Sequence, residues 1–287
     1  MQVDWNRVAE AIEACGASKI ESRSAREMVA TAYDTWFEQD AASLEILSVE
    51  EPRLFQPAAY PTPQDKPFKF VLDLHVRVLE PTTWMRQLKP AIKPGDHLVI
   101  DWKTTGYNLN NSYGRDKFVT SYRQSAQWRY YMAALDPTPA FLYRGISKEP
   151  KGGTHQLYLP AAFDRANYDA LVNALQQTGR VIDNMAADWP LGPWPLVPDS
   201  CQKWGRPCPH LSTCQTKPDH PRSPVIIPPH LSFSSMQAFW TCPERYRRDR
   251  LEGVETMDDG TEASRTGTAT HAGLAALYLQ LKEHQQR

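Results

Sequence analysis

His97-Leu98-Val99-Ile100-Asp101-Trp102-Lys103-Thr104-Thr105 is the stretch on which the fold turns. Its apolar run, Leu98 to Ile100, follows a turn signal, Pro94-Gly95-Asp96, and reads as a buried strand. Residues i and i+2 of a strand share a face, so Asp101 and Lys103 project side by side. A carboxylate and an ammonium at the end of a buried strand are costly to desolvate unless they are paired or bound to something. One reading is a plain salt bridge at a strand end. The other is a site in which the aspartate holds a hard divalent cation through oxygen, while the lysine orients a water or offsets charge developing on a phosphate.

The neighbouring segments are strands and helices in alternation. Phe68 to Leu79 has a period of two: Phe68, Phe70, Leu72, Leu74, Val76 and Val78 share one face, and Asp73, His75 and Arg77 the other. Leu44 to Glu50 alternates as a shorter strand that ends in Glu50-Glu51-Pro52. Ahead of it, Trp5–Cys15 and Ser24–Glu38 carry helical apolar stripes. After the central strand, Gly106 to Lys117 is rich in Asn, Gly and Tyr and reads as a mobile loop, either a substrate-contacting flap or a plain surface loop. Ser121–Leu135 reads as a helix with Gln127 and Tyr131 four apart on one face. Phe141–Ser147 and His155–Leu159 read as a strand pair, and Asp164–Trp189 as a long helix. The pattern predicts an α/β class, a mixed sheet flanked by helices.

The chain has 287 residues with 32 basic and 33 acidic side chains, so any basic groove must be local rather than global. Neither a signal peptide nor a membrane span is read, and a soluble cytoplasmic protein is expected. Five cysteines are few for a disulfide scaffold, and Cys201, Cys208 and Cys214 crowd together in an aperiodic, Pro-rich stretch. Their C-x6-C-x5-C spacing fits the paired spacing of structural zinc poorly. Iron–sulfur clusters take four thiolates at wider spacings, and Cys242 is the natural fourth. A zinc site completed by His210 or His220 is the alternative. Beyond the linker, Ser232 or Ser234 can cap a helix running to Cys242-Pro243. Arg245, Arg247, Arg248 and Arg250 then make a basic helical stretch, read either as phosphate contacts or as a solvated face. Gly267 to His271 opens a last helix reaching Leu281.

Together these residues resemble the PD-(D/E)XK nuclease superfamily, and within it the RecB-like group with iron–sulfur clusters that includes the AddB nuclease domain. Val71-Leu72-Asp73-Leu74 resembles the first acidic motif, Ile100-Asp101-Trp102-Lys103-Thr104 the D-x-K-T motif, and Gln127 to Tyr131 the Q-x-x-x-Y motif. Val49-Glu50-Glu51-Pro52 resembles the preceding glutamate strand. Cys201 to Cys214 resembles the C-terminal cysteine cluster, Leu231 to Tyr246 the opening segment with the first cluster cysteine, and Gly267 to His271 the G-x-x-x-H motif.

The resemblance implies a restriction-endonuclease-like fold with a C-terminal cysteine cluster and a metal-dependent DNA nuclease, of exonuclease type, in repair, recombination or phage DNA processing. It implies Mg²⁺ or Mn²⁺ on Asp73, Asp101 and His271, and Glu50 as an accessory ligand. Lys103 would act on the nucleophile or the transition state, supported by Gln127 and Tyr131. A 4Fe-4S cluster on Cys201, Cys208, Cys214 and Cys242 is implied, with zinc as the runner-up. Tyr107, Tyr113 and Trp102 read either as aromatics that stack on unpaired bases or as plain core or surface residues. The partners implied are DNA, single-stranded or as duplex ends, and a helicase or a recombination or CRISPR-type protein. A non-catalytic iron–sulfur or zinc-stapled DNA-binding subunit is the competing function.

The order of motifs departs from the family, because the cysteine-proline segment and the histidine helix come last instead of first. The expected segments are a nuclease core with its cysteine cluster over 1–214, a Pro-rich linker over 215–230 and a helical segment over 231–287. Either that last segment folds back as a circular permutant to complete the site, or it begins a second module.

Overall fold

The computed structural model describes residues 1–55, 66–135, 140–149, 151–160, 165–189, 194–195, 197, 201, 208, 225, 227–252 and 262–287. Cys214, His210, His220 and the acidic stretch after Gly253 lie outside them. The chain divides into two compact units that interleave along the sequence: Met1–Pro52, Val71–Phe163 and Gly260–Arg287 form one, Arg53–Phe70 and Asp164–Asp259 the other. These units cut across the segments drawn from sequence, since the last helix belongs to the first unit and Phe233–Leu251 to the second.

The first unit is built on a mixed sheet in the order β1 (Leu44–Phe55), β2 (Phe68–Val78), β3 (His97–Thr105), β4 (Ala140–Ser147), β5 (Thr154–Pro160). β2 runs antiparallel to β3, β3 parallel to β4, and β4 antiparallel to β5. This is a mixed sheet with flanking helices, and it fits a restriction-endonuclease-like arrangement. The alternation in β2 is real but shallow: Asp73 and His75 are both 8 % exposed, so the polar face is buried too.

Two helix systems cover the two faces. Leu74, Val76, Ile100, Trp102, Leu142 and Ile146 point into a core with residues of α1 (Trp5–Glu13), α2 (Lys19–Ala32) and α10 (Glu262–Gln285). Helix α1 starts where the Asp4 carboxylate accepts from the N–H groups of Asn6 and Arg7, and α2 starts on a reciprocal capping box between Ser18 and Glu21. A π-helical turn, Tyr33–Phe37, joins α2 to α3 (Glu38–Ser43). An inserted i→i+5 turn shifts the phase of the side chains that follow; Trp36, Phe37 and Asp40 are all buried. On the opposite face, α5 (Ser112–Arg123) and α6 (Ala126–Ala134) lay an aromatic chain over β4, Phe118–Tyr122–Tyr143–Phe141–Tyr131, with successive centroids 4.7, 4.9, 4.8 and 6.0 Å apart. Between β2 and β3 lies one short helix, α4 (Thr83–Gln87).

Helix α10 is an integral part of this unit. Gly273 lets it approach α1 and α2, since a Cβ there would sit 2.8 Å from Val29 and 2.9 Å from Ile12. Arg7 grips Glu283 with two bonds of 2.9 and 3.0 Å, and Gln285 bridges the backbone of Ile46 and Leu44 at 2.9 and 2.7 Å. The helix begins at Glu262, earlier than the Gly267 expected from sequence, because an isolated glycine inside a helical pattern is tolerated and need not end a helix.

The second unit holds α7 (Arg165–Asp188), β6 (Leu231–Ser232), α8 (Phe233–Thr241), α9 (Pro243–Tyr246) and a π-helical turn Arg247–Leu251. Strand β6 pairs in parallel with Phe68 and Lys69 at the start of β2. Ser232 caps α8 by accepting from the Ser235 N–H. Trp194, Phe239 and Tyr246 pack ring against ring, with centroids 5.7 to 6.4 Å apart.

Candidate metal centre

Asp73 sits on β2 at the first position past the paired register, which begins at Leu74 opposite Ile100. Its Oδ2 accepts from the backbone N–H of Trp102 at 2.9 Å and faces His271 Nδ1 at 3.3 Å. Glu50 comes in from β1, and one ligand atom each from Glu50, Asp73 and His271 lie within 4.8 Å of one another. Glu50 has φ 46°, the left-handed region that non-glycine residues rarely adopt. The alternating burial of β1 breaks at this residue, so the backbone there is held in a disfavoured conformation at a ligand position.

Asp101 and Lys103, side by side on β3, form an ion pair with side chains 2 % and 19 % exposed. The Gln127 amide donates to Asp101 Oδ1 at 3.3 Å and to the Tyr131 hydroxyl at 3.1 Å. Asp101 therefore stands beside the group of three, engaged by Lys103 and Gln127. The sequence signal for Gln127 and Tyr131 was their helical spacing, and the structure turns it into one hydrogen-bonded relay to Asp101.

Burial dominates the electrostatics. It pushes Glu50 up to about 7, with Asp73 and Asp101 adding to the rise. It raises Asp101 to about 6 against the pull of Lys103, and raises Asp73 against Lys103 and the Trp102 N–H. Burial pulls Lys103 down, but Asp101 and Asp73 outweigh it and leave the ammonium raised. His271 is lowered to about 4 by burial and then by Lys103, so at neutral pH its imidazole is uncharged and able to ligate. Two buried carboxylates, Asp73 and Asp101, and the partly exposed Glu50 face one fixed ammonium and a neutral imidazole. The donor set, two carboxylates and an imidazole around a site with surplus negative charge, fits a Mg²⁺ or Mn²⁺ ion.

Several expectations are corrected. Trp102 is fully buried and packs against Tyr278 with ring centroids 5.1 Å apart and planes tilted by 45°, so it offers no face to a base. Gly106–Lys117 is no mobile loop: α5 begins at Ser112, capped by Asn111, and the Leu109 and Asn110 N–H groups donate to the Gly152 carbonyl at 2.6 and 3.1 Å. The Asn side chains that suggested flexibility make the clamp, Asn110 donating to the Lys151 carbonyl at 2.6 Å. Tyr107 and Tyr113 remain exposed on this built edge, at 40 % and 67 %. Of the four arginines, Arg247 and Arg248 are buried against Glu244, with Arg247 also reaching Glu252, and Arg245 pairs with Asp249 at 3.1 Å. Charge in the sequence carries no sign of such partners, and Arg250 is the member of the group left exposed.

In the second unit, burial raises the Cys201 thiol, and Cys208 and Cys242 follow as further causes. The Cys208 N–H donates to the Cys201 carbonyl at 2.7 Å. Cys242, buried, caps the junction of α8 and α9.

The sequence reading missed Tyr143, whose ring lies 5.7 Å from Lys103 Nζ. It also missed Asp40, Arg144 and Tyr278 behind Trp102. For Tyr143 the available signal was strand parity, since it registers beside Asp101.

Residues 230–287 match the family model of the PD-(D/E)XK nuclease superfamily. No curated protein and no solved structure gives a significant match. The matched stretch contains Cys242 and His271 but none of Glu50, Asp73, Asp101 or Lys103. Among the described residues, no helix is long and apolar enough to cross a membrane.

Proposed function

We propose that this protein is a divalent-metal-dependent deoxyribonuclease of the PD-(D/E)XK superfamily, an exonuclease of its RecB-like iron–sulfur branch with the opening motifs permuted to the end of the chain. One observation carries the reading. His271, inside the matched stretch, lies 3.3 Å from Asp73, which lies far outside it, and Glu50 completes the group. The imidazole thus comes from the matched stretch and the carboxylates from outside it, which supports the reading that these separated segments build one active site.

Asp73, Glu50 and His271 would hold Mg²⁺ or Mn²⁺, with Asp101 beside them. When bound, the ion supplies charge that polarises the scissile phosphate and lowers the pKa of water. Lys103, kept protonated by Asp101 and Asp73, presents a fixed positive charge to the pentacoordinate phosphate and to the attacking oxygen. Gln127 ties the Asp101 carboxylate to the Tyr131 hydroxyl through its amide. The Trp102 N–H fixes Asp73, so the backbone of β3 orients a ligand carried by β2. Tyr107 and Tyr113 are exposed for stacking on unpaired bases, next to Arg115 and Lys117 on the same edge. Cys201, Cys208 and Cys242, joined by Cys214, would carry a 4Fe-4S cluster that ties the segments of the second unit together.

The test is cleavage of end-labelled single- and double-stranded DNA with Mg²⁺ or Mn²⁺ by wild type, Lys103→Ala and His271→Ala. Metal-dependent products that vanish in both variants are expected, whereas equal cleavage in Lys103→Ala would refute the assignment. For the cluster, the visible spectrum of anaerobically purified protein should show a broad absorption lost in Cys242→Ala. A colourless protein carrying zinc would overturn it.

A further inference from the structure

Behind the candidate site, on the opposite face of the sheet, three polar side chains are buried together: Asp40 and Arg144, each 2 % exposed, and Tyr278, 1 % exposed. Arg144 grips Asp40 with a two-point contact, one bond being 2.7 Å. The Tyr278 hydroxyl donates to Asp40 and accepts from Arg144 at 3.2 Å. Arg144 also donates through Nε to Gln156 at 3.2 Å and lies 4.9 Å from the Trp36 ring. Every partner is satisfied, which is what keeps such a buried charge pair from being a liability.

This network encloses the residue that organises the site. Arg144 registers directly beside Trp102 on β3, and the Trp102 indole rests on Tyr278. Trp102 separates Asp101 from Lys103 in sequence, and its N–H holds Asp73. Tyr278 and His271 lie seven residues apart on α10, two turns along one face of the helix. The helix is also anchored by Arg265 on Glu21, Thr270 beside the Met28 sulfur, Gln280 on Asp4, Lys282 on the Leu47 carbonyl, Glu283 on Arg7 and Gln285 on β1, whereas Tyr278 reaches β4 through Arg144. A helix rotation of about 20° would move a side-chain head at a radius of about 6 Å by roughly 2 Å. That is enough to break the contact between His271 and Asp73.

We infer that Asp40, Arg144 and Tyr278 are positioning residues that set the rotation of α10 against β3, so that His271 meets Asp73 and Glu50 at the metal centre. This rests on the reading of His271 as a metal ligand. The π-helical turn before α3 is part of the device, because it precedes Asp40 by less than one turn and sets the phase in which Asp40 faces Arg144. None of the three touches the ion or the substrate; they act through the helix and through Trp102.

The experiment is a titration of the metal-stripped full chain with Mn²⁺, followed by electron paramagnetic resonance and calorimetry, for wild type, Tyr278→Phe, His271→Ala and the double variant. Tyr278→Phe keeps the ring that packs on Trp102 and removes only the hydroxyl. It should weaken Mn²⁺ binding about tenfold, the scale of an outer-shell orienting contact. His271→Ala should weaken it at least as much, and Tyr278→Phe should add nothing in the His271→Ala background. Arg144→Lys, which keeps the charge but loses the fork, should repeat the Tyr278→Phe loss. Met85→Ala, a core truncation in α4, should lower the melting temperature while leaving Mn²⁺ affinity unchanged. Unaltered affinity in Tyr278→Phe, beside a clear loss in His271→Ala, overturns this inference alone. Unaltered affinity in His271→Ala overturns the ligand reading and this inference with it. Additive losses in the double variant assign Tyr278 a general structural role and also overturn it.

Discussion

Two of the clusters of buried charge among the described residues, the metal-site group in the first unit and the Glu244 group in the second, have opposite electrostatic characters. In the second unit, Glu244 receives Arg247 through two bonds of 2.9 and 2.8 Å, Arg248 at 2.9 Å and the Trp194 N–H at 3.0 Å. Burial would raise its pKa, but the guanidiniums and the N–H overrule it and bring the carboxyl down to about 2. In the first unit, burial wins: Glu50 goes up to about 7 and Asp101 to about 6, and Asp73 is also raised. Burial is common to both clusters, so compensation is what differs. The Glu244 cluster is complete as folded. The Glu50–Asp73–His271 group carries negative charge that the protein does not neutralise, which is the arrangement expected where a cation is to bind.

The comparison breaks first on activity. Lys103→Ala should lower DNA cleavage by on the order of 10³-fold, the scale of losing one fixed charge at the developing phosphate charge, with DNA binding retained. Cleavage at wild-type rate would place Lys103 with the structural ion pairs.

Next in size is Glu244→Gln, which leaves Arg248 buried without its counter-charge and Arg247 with Glu252 alone, and should cost about 3–5 kcal/mol. Thermal or denaturant unfolding of the full chain reads this directly, and an unchanged midpoint would show that the cluster contributes nothing net.

A smaller effect is expected from pH. Glu50 has a folded pKa of about 7, above its usual value of 4.5, so between those values the folded state binds more protons than the unfolded one. Its contribution to stability is present below about 4.5 and is lost as pH rises through about 7. Metal-stripped protein should therefore melt lower at pH 8 than at pH 5.5, Mn²⁺ should reverse the drop at pH 8, and Glu50→Gln should flatten the profile. Glu244, depressed to about 2, has the opposite sign: its contribution is present above about 4.5 and is lost as pH falls through about 2.

The smallest effect sharpens the comparison from within the arginine run. Arg250→Ala, at an exposed position, should shift stability by less than about 0.5 kcal/mol, whereas Arg248→Ala, whose guanidinium is buried against Glu244, should be several times more costly. Equal effects would mean that burial does not separate the two.

The sequence by itself determined the strands β2, β3, β4 and β5 and the long helix α7, and it singled out the candidate site residues on β2, β3 and α6. All of these are written in local periodicity or short spacing: apolar alternation through Leu72, Leu74 and Val76, the Asp-x-Lys at a strand end, and Gln127 four residues before Tyr131. Tertiary structure alone decided the rest. It brought His271 to Asp73 from the far end of the chain and turned the Glu50 backbone to φ 46°. It also inserted the π-helical turn before Asp40, stiffened the Asn-rich loop against Gly152, and buried two arginines that read as surface charge. The physical reason is the same in each case. Local pattern records which face of an element is apolar, whereas the partner that satisfies a buried polar group is chosen by packing between segments distant in sequence, and the sign of a pKa shift exists only once that partner is present or missing.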